Sequence, residues 1–352
     1  MTIQRAQAQG VLPTVRRCST ASKRQAGLTL VELMIAMVIG LVITLAAFAA
    51  LIVSQQGFKA VDTASQLRDN SRFTADLIQR LAVQTGYFDD RFVSNVKGNV
   101  AGGLSLEPNI KGLNNATKTA ADFTLINPEL AFASRGGSSV DGSDALILRF
   151  QSNETYPGSG VSDNSMIDCA GFPKTPSSNR SDRMASILYV AAGADGEPSL
   201  MCGYFDNAGN PLSPQPVIRG VETFQVLYGT DGVVANTAPS AALSVADVAD
   251  RYLRADQLDV PGNASATNAN WQRVRSLRIG LVIRGPIGSA LETPATAPTF
   301  YPLGIARSAA GGADGSALSS TNDPGTQFTP PADNRLRQVV TITVQLRNPQ
   351  AL

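Results

Sequence analysis

The chain has 352 residues, carries 29 lysines and arginines against 28 aspartates and glutamates, and contains no histidine. The near balance of charge offers no general basic footprint for nucleic acid. The missing histidine excludes His-based triads and dyads, histidine metal sites and the usual proton shuttle near neutrality; nothing in the Ser, Lys or carboxylate spacing assembles a catalytic or metal site, so neither an enzyme nor a cofactor is expected.

Residues 1–27 hold Arg5, Arg16, Arg17, Lys23 and Arg24 and no acid. Residues 28–53 then form an apolar run without proline, charged only at Glu32. A helix needs roughly 20 apolar residues to cross a bilayer, so this run spans. The basic flank places the amino end in the cytoplasm and the remainder outside it. The run is too long for a secretory signal, whose apolar core is about 7–15 residues. An ionised side chain in hydrocarbon is costly. Glu32 is therefore either tolerated by reaching toward the membrane edge, in a plain anchor, or kept to meet a partner.

Helical character continues over 54–86, where Phe58, Val61, Ala64, Leu67, Phe73, Leu77 and Leu81 predict one apolar stripe on an otherwise polar helix. Gly86 marks its end, and Gly40 and Gly57 are points where it can bend. The head, 87–352, reads as β-rich. Residues 95–142 predict a long connection holding a short strand or helix. Strands are expected over 145–151, 186–192, 199–205, 222–229, 274–284 and 337–348. The last two alternate cleanly: Leu277, Ile279, Leu281 and Ile283 share a face, as do Val340, Ile342, Val344 and Leu346. These inner faces are expected to pack on the helix stripe. A short helix is expected at 244–254 and loop over 285–335.

Acidic, glycine-bearing loops at Asp141–Asp144, Asp206–Asn210 and Asp231–Gly232 lack the spacing of an EF-hand and read as turns. Arg273, Arg275, Arg278 and Arg284 suggest a solvated basic strip, with Arg275 on the apolar side of the alternation.

The segment KRQAGLTLVELMIA resembles the processing signal of type IV prepilins and pseudopilins. GYFDD, GSDALILRF, LMCGYF, GVETFQVLYGTDG, VRSLRIGLVIR and the final LRN block, in this order, resemble the PilW family of minor pilins. The resemblance implies cleavage between Gly27 and Leu28 by a prepilin peptidase, and N-methylation of Leu28, where phenylalanine is commoner. The leader is long for the family, and an internal start is compatible with the same signal. Thr29 and Glu32 fall in the assembly segment, with Glu32 matching the carboxylate that neutralises a neighbouring subunit's amine.

The implied fold is α+β and pilin-like, a long amino-terminal helix packed on an antiparallel sheet head with long loops. The implied protein starts as a single-pass bacterial inner-membrane precursor with a periplasmic head. It then enters type IV pili as a minor pilin that serves adhesion, twitching motility or DNA uptake. Its partners would be other minor pilins, the major pilin and the inner-membrane assembly platform; no nucleic acid is expected to bind the head. The alternatives are a minor pseudopilin of type II secretion or a membrane-anchored periplasmic binding protein. Loss of the leader would remove Cys18, leaving Cys169 and Cys202 either as a disulfide outside the cytoplasm or as two buried thiols.

Overall fold

Apolar, straight-chain and alanine residues without proline fold as one continuous helix, α1, over Leu30–Gln84. In the computed structural model of the protein, residues 27–89, 92, 107–120, 122–133, 142–239, 248–304 and 326–348 are described. The chain divides into two compact units, Met1–Gln55 and Gln56–Leu352. In the first unit every described residue is exposed. Thr44, a polar interruption of the apolar run, returns its hydroxyl to the Leu41 carbonyl at 2.9 Å. A hydroxyl satisfied within its own helix is compatible with hydrocarbon.

The second unit begins within α1. Its buried face is Thr63, Leu67, Ser71, Thr74, Ile78 and Leu81, spaced by three and four residues. This corrects the predicted stripe, because Phe58, Val61 and Phe73 are exposed. The reason is chemical. Ser71 and Thr74 donate to the Leu67 and Asn70 carbonyls, each at 2.6 Å, so small hydroxyls pack inward with no unmet bond.

The head contains two antiparallel sheets. The first has the order β1 (Ile110–Leu113), β4 (Ala145–Phe150), β5 (Met184–Ala192), β6 (Pro198–Gly203) and β7 (Gln215–Arg219). The second has the order β11 (Arg337–Gln345), β10 (Val274–Arg284), β8 (Val221–Thr230) and β9 (Arg251–Leu253). A small ladder joins β2 (Thr117–Lys118) to β3 (Phe132–Ala133). Inward residues of both sheets, among them Leu146, Leu188, Leu200, Phe224, Leu277, Ile279, Val340 and Val344, form one core with Leu67, Ile78 and Leu81 of α1. Ala145, Ile147, Tyr189 and Met201 face a second core closed by Phe123 and Phe132. Strand β4 is thus buried on both faces, which explains the apolar run Ala145–Leu148; Arg149, also buried, donates to the Pro108 and Ile126 carbonyls and pairs with Glu129.

Residues 251–253, expected to be helical, form β9, and 240–247 lie outside the described residues. The helices of this stretch are instead α2 (Ala255–Leu258) and α3 (Ala264–Trp271). Within 285–335 an isolated bridge pairs Phe300 with Phe328.

One residue, Gly220, carries the chain from β7 in the first sheet to β8 in the second. Its φ is +79°, and a Cβ there would lie 2.5 Å from the Arg284 carbonyl oxygen. The left-handed conformation alone costs a side chain about 1–2 kcal/mol. Gly220→Ala is therefore expected to destabilise the head by at least about 1–2 kcal/mol, read as a lower denaturant midpoint; an unchanged midpoint would contradict the crowding at this crossover.

Candidate functional site

The start of α1 is built by Thr29 and Glu32. Thr29 donates its backbone N–H to Glu32 Oε2 at 3.0 Å and its hydroxyl to the same oxygen at 3.1 Å. Glu32 N–H donates back to Thr29 Oγ1 at 3.3 Å. This reciprocal pair is a capping box, which meets two amides that the first helical turn leaves unpaired. The acid in the apolar run thus has a task inside its own helix, a reading the sequence already carried in its T-x-x-E spacing. Both bonds from Thr29 fall on Oε2, and no described cation pairs with Glu32.

Gly27 and Leu28 precede this box. Leu28 is 76% exposed. A Cβ at Gly27 would meet nothing within 4 Å. Folding of the described chain therefore gives no steric reason for glycine at 27.

Cys169 and Cys202 are bonded in the head, with Cα atoms 5.7 Å apart and a sequence separation of 33. Both are buried. The bridge ties the loop before β5 to β6, where Cys169 N–H also donates to Ser186 Oγ at 3.0 Å.

The proposed arginine strip is not one feature. Arg275 sits at a register shift between Val274 and Ser276, which explains why it breaks the alternation. It donates to the Gln272 and Val274 carbonyls. Arg284 instead belongs to a closed ring of alternating charge. It pairs with Glu197 at 2.7 Å and with Glu222 at 3.0 Å. Glu222 pairs with Arg337 at 2.6 Å, Arg337 with Asp333 at 2.6 Å, Asp333 with Arg335 at 3.8 Å, and Arg335 with Glu197 at 3.2 Å. The ring ties the β5–β6 turn of the first sheet to β8, β10 and β11 of the second. Hydrogen bonding from Arg284 holds the Glu197 carboxyl below its usual range, and Arg337 does the same for Asp333. Burial disfavours the Arg284 charge, but the bonds to Glu197 and Glu222 outweigh it and raise its pKa. Asp333, Arg335 and Arg337 are neighbours in sequence, but Glu197, Glu222 and Arg284 lie too far off to announce themselves as their partners.

The acidic loops are occupied by their own backbones. The Asp206 carboxylate accepts from Ala208 and Asn210. Asp144 accepts from Asn115 N at 3.1 Å and Val226 N at 2.8 Å, stitching the two sheets; Asp141 lies outside the described residues. Among the described residues no group of three or more Cys, Asp or Glu side chains is placed to hold a metal.

The type IV pilus-assembly protein W family matches residues 187–348, and the prokaryotic N-terminal methylation motif matches residues 22–48. A solved type IV-like pilin from Thermus thermophilus is similar at 18% identity and a TM-score of 0.36, over 81% of this chain and 98% of that one. No curated protein matches the chain. The methylation motif contains Gly27, Leu28, Thr29 and Glu32, and the assembly-protein match contains all six members of the charge ring. A methylation motif opening an apolar helix indicates membrane anchoring as a pilin. With that anchor, a 55-residue helix and an antiparallel head carrying the assembly-protein sequence, the chain is a PilW-like type IV pilin.

Proposed function

We propose that the protein is a minor pilin that primes, or is incorporated into, type IV pili, and that it acts by assembly and not by catalysis. The precursor would sit in the bacterial inner membrane with its head in the periplasm. Prepilin peptidase would cut between Gly27 and Leu28 and methylate Leu28. Other minor pilins, the major pilin and the assembly platform would then be its partners, and the fibre would serve adhesion, twitching motility or DNA uptake.

The observation that carries this reading is Gly27, a glycine that the fold does not require, placed directly before an exposed apolar helix capped by Glu32. A mass spectrum of the protein from native membranes is expected to begin at a methylated Leu28. Gly27→Leu is expected to leave the leader attached although the head folds. Recovery of uncut wild-type chain from a strain with active peptidase would sink the proposal. Loss of pili on deletion supports the pilus; loss of protein secretion with normal pili would assign the chain to a pseudopilus.

The capping box separates two roles of Glu32. Glutamine also closes such a box, so Glu32→Gln keeps the cap and loses the charge. This variant is expected to insert and be cleaved yet fall several-fold in pilus incorporation, measured by immunoblot of sheared fibres. Thr29→Ala removes a cap bond worth about 0.5–2 kcal/mol but keeps the carboxylate, and should incorporate better than Glu32→Gln. The reverse order would show that Glu32 matters through its cap.

A further inference from the structure

Four strands edge the two main sheets, and three of them are protected. Strand β1 has four residues and carries Lys111; β9 has three; β7 contains Pro216. Short length, lysine and proline are common defences against unwanted strand pairing. Strand β11 has none of them. It runs for nine residues, pairs with β10 without a register shift, and from Gln338 to Gln345 reads QVVTITVQ, without charge or proline.

The direction of its free bonds follows from the ends of the ladder. Leu346 N–H donates to Arg275 O at 2.9 Å, and Gly285 N–H to Leu336 O at 2.8 Å. Hydrogen-bonded pairs alternate with non-bonded ones in an antiparallel ladder. Residues 338, 340, 342 and 344 therefore bond inward to β10. Val339, Thr341, Thr343 and Gln345 direct N–H and C=O outward, and among the described residues none of these groups has a backbone partner.

The segment Val340-Thr341-Ile342-Thr343-Val344 is a palindrome about Ile342. The geometry points to a second copy of this chain as the partner of the edge, through antiparallel β11–β11 pairing on a two-fold axis at Ile342. The parity of the bonds fits this register. Thr341 meets Thr343 of the other copy and Val339 meets Gln345, all outward-bonding residues, so each pair exchanges both its hydrogen bonds. Ile342 meets Ile342 and Val340 meets Val344 as non-bonded pairs, where side chains approach most closely. Sliding one strand by a single residue would set outward-bonding residues against inward-bonding ones and lose these bonds, and moving the axis by a whole residue keeps the parity but loses the palindrome. Threonine pairs and β-branched pairs are favourable across strands. The pairing is isologous, so it closes at two copies and leaves no further β11 edge exposed. Ile342, half-buried at the rim of the core, would be covered by its counterpart.

The test uses the full chain in membranes, with Cys18→Ser so that the introduced thiol is the one thiol outside the Cys169–Cys202 bond. Ile342→Cys is expected to cross-link to itself, since the facing Cα atoms would be about 4.5 Å apart. Thr341→Cys and Thr343→Cys, placed on chains of different length, are expected to cross-link only with each other. Each alone faces its own copy across a diagonal of about 7–8 Å, beyond disulfide reach. In detergent, Thr341→Lys/Thr343→Lys is expected to halve the particle mass while the Cys169–Cys202 bond stays closed. A wild-type monomer, cross-links in another register, or cross-linking of β11 only to a different protein would each overturn the inference.

Discussion

Glu222→Ala is expected to lower the stability of the head by about 3–5 kcal/mol, because it strips a carboxylate from two arginines and leaves buried positive charge uncompensated. Glu222 and Arg337 side chains are 3% and 2% exposed, so water cannot take over the lost pairing. With an unfolding entropy of about 2.1 cal/mol/K per residue, a head of this size should lose about 5–8 °C in Tm. The double variant Glu222→Leu/Arg337→Met removes one charge of each sign. It leaves Arg284 with Glu197 and Arg335 with Asp333, and should recover much of the loss. If the single and double variants melt together, the ring does not couple these residues. Acid gives an independent check. Glu197 and Asp333 have depressed folded-state pKa values, so their contribution is complete above the unfolded carboxylate range, about pH 4, and is lost as pH falls through the lower folded values. Denaturant midpoints should therefore fall steeply below about pH 4. The slope should be shallower in Arg337→Met, where Asp333 has lost the hydrogen bond that depresses it most.

Cys169→Ala/Cys202→Ala is expected to cost about 3–4 kcal/mol. The bond closes a loop of 33 residues, and the chain-entropy model gives about that value for its length. Reductant should bring the wild-type head to the same denaturant midpoint as the variant and leave the variant unmoved. Equal midpoints for oxidised wild type and variant would mean that the 170–201 segment is ordered by its packing alone.

These two devices differ in how far the sequence discloses them. Two cysteines in a head expected outside the cytoplasm are a short step from a bond. The ring joins positions 197, 222 and 284 to the local group 333, 335 and 337, and nothing in the sequence marks the first three as neighbours of that group before the two sheets are brought together. The same contrast runs through the fold. Strands β10 and β11 are legible because one apolar face alternates with one polar face, and β4 because it opens with four apolar residues in a row. Strand β7 is missed because QPVIR is short and carries Pro216, a residue an edge tolerates. Helix α3 is missed because ASATNANW is polar, and is fixed by Asn263 capping the Ala266 amide and by Trp271 buried against Tyr228. Leu67 and Leu81 of the α1 stripe are buried as expected, but Phe58, Val61 and Phe73 are not, because hydrophobicity was the guide whereas Thr63, Ser71 and Thr74 share the inward face. In the assembly segment Gly27, Leu28, Thr29 and Glu32 are all visible in sequence. The capping use of Glu32 is signalled by the T-x-x-E spacing and shown by its bonds, and its use as a charge belongs to the proposal.

Asn348 follows the final strand, and its side-chain amide donates to the Val83, Gln84 and Thr85 carbonyls at 3.2, 3.4 and 3.1 Å. The last turn of the first helix is thus sealed by a residue made some 265 positions later. Ribosomes deliver that clasp only after the strands of both sheets, so the helix end stays unlocked while they emerge. A polypeptide truncated upstream of β11 would lack both the latch and the β10–β11 ladder, so the end of the helix is held only once β11 and Asn348 are in place.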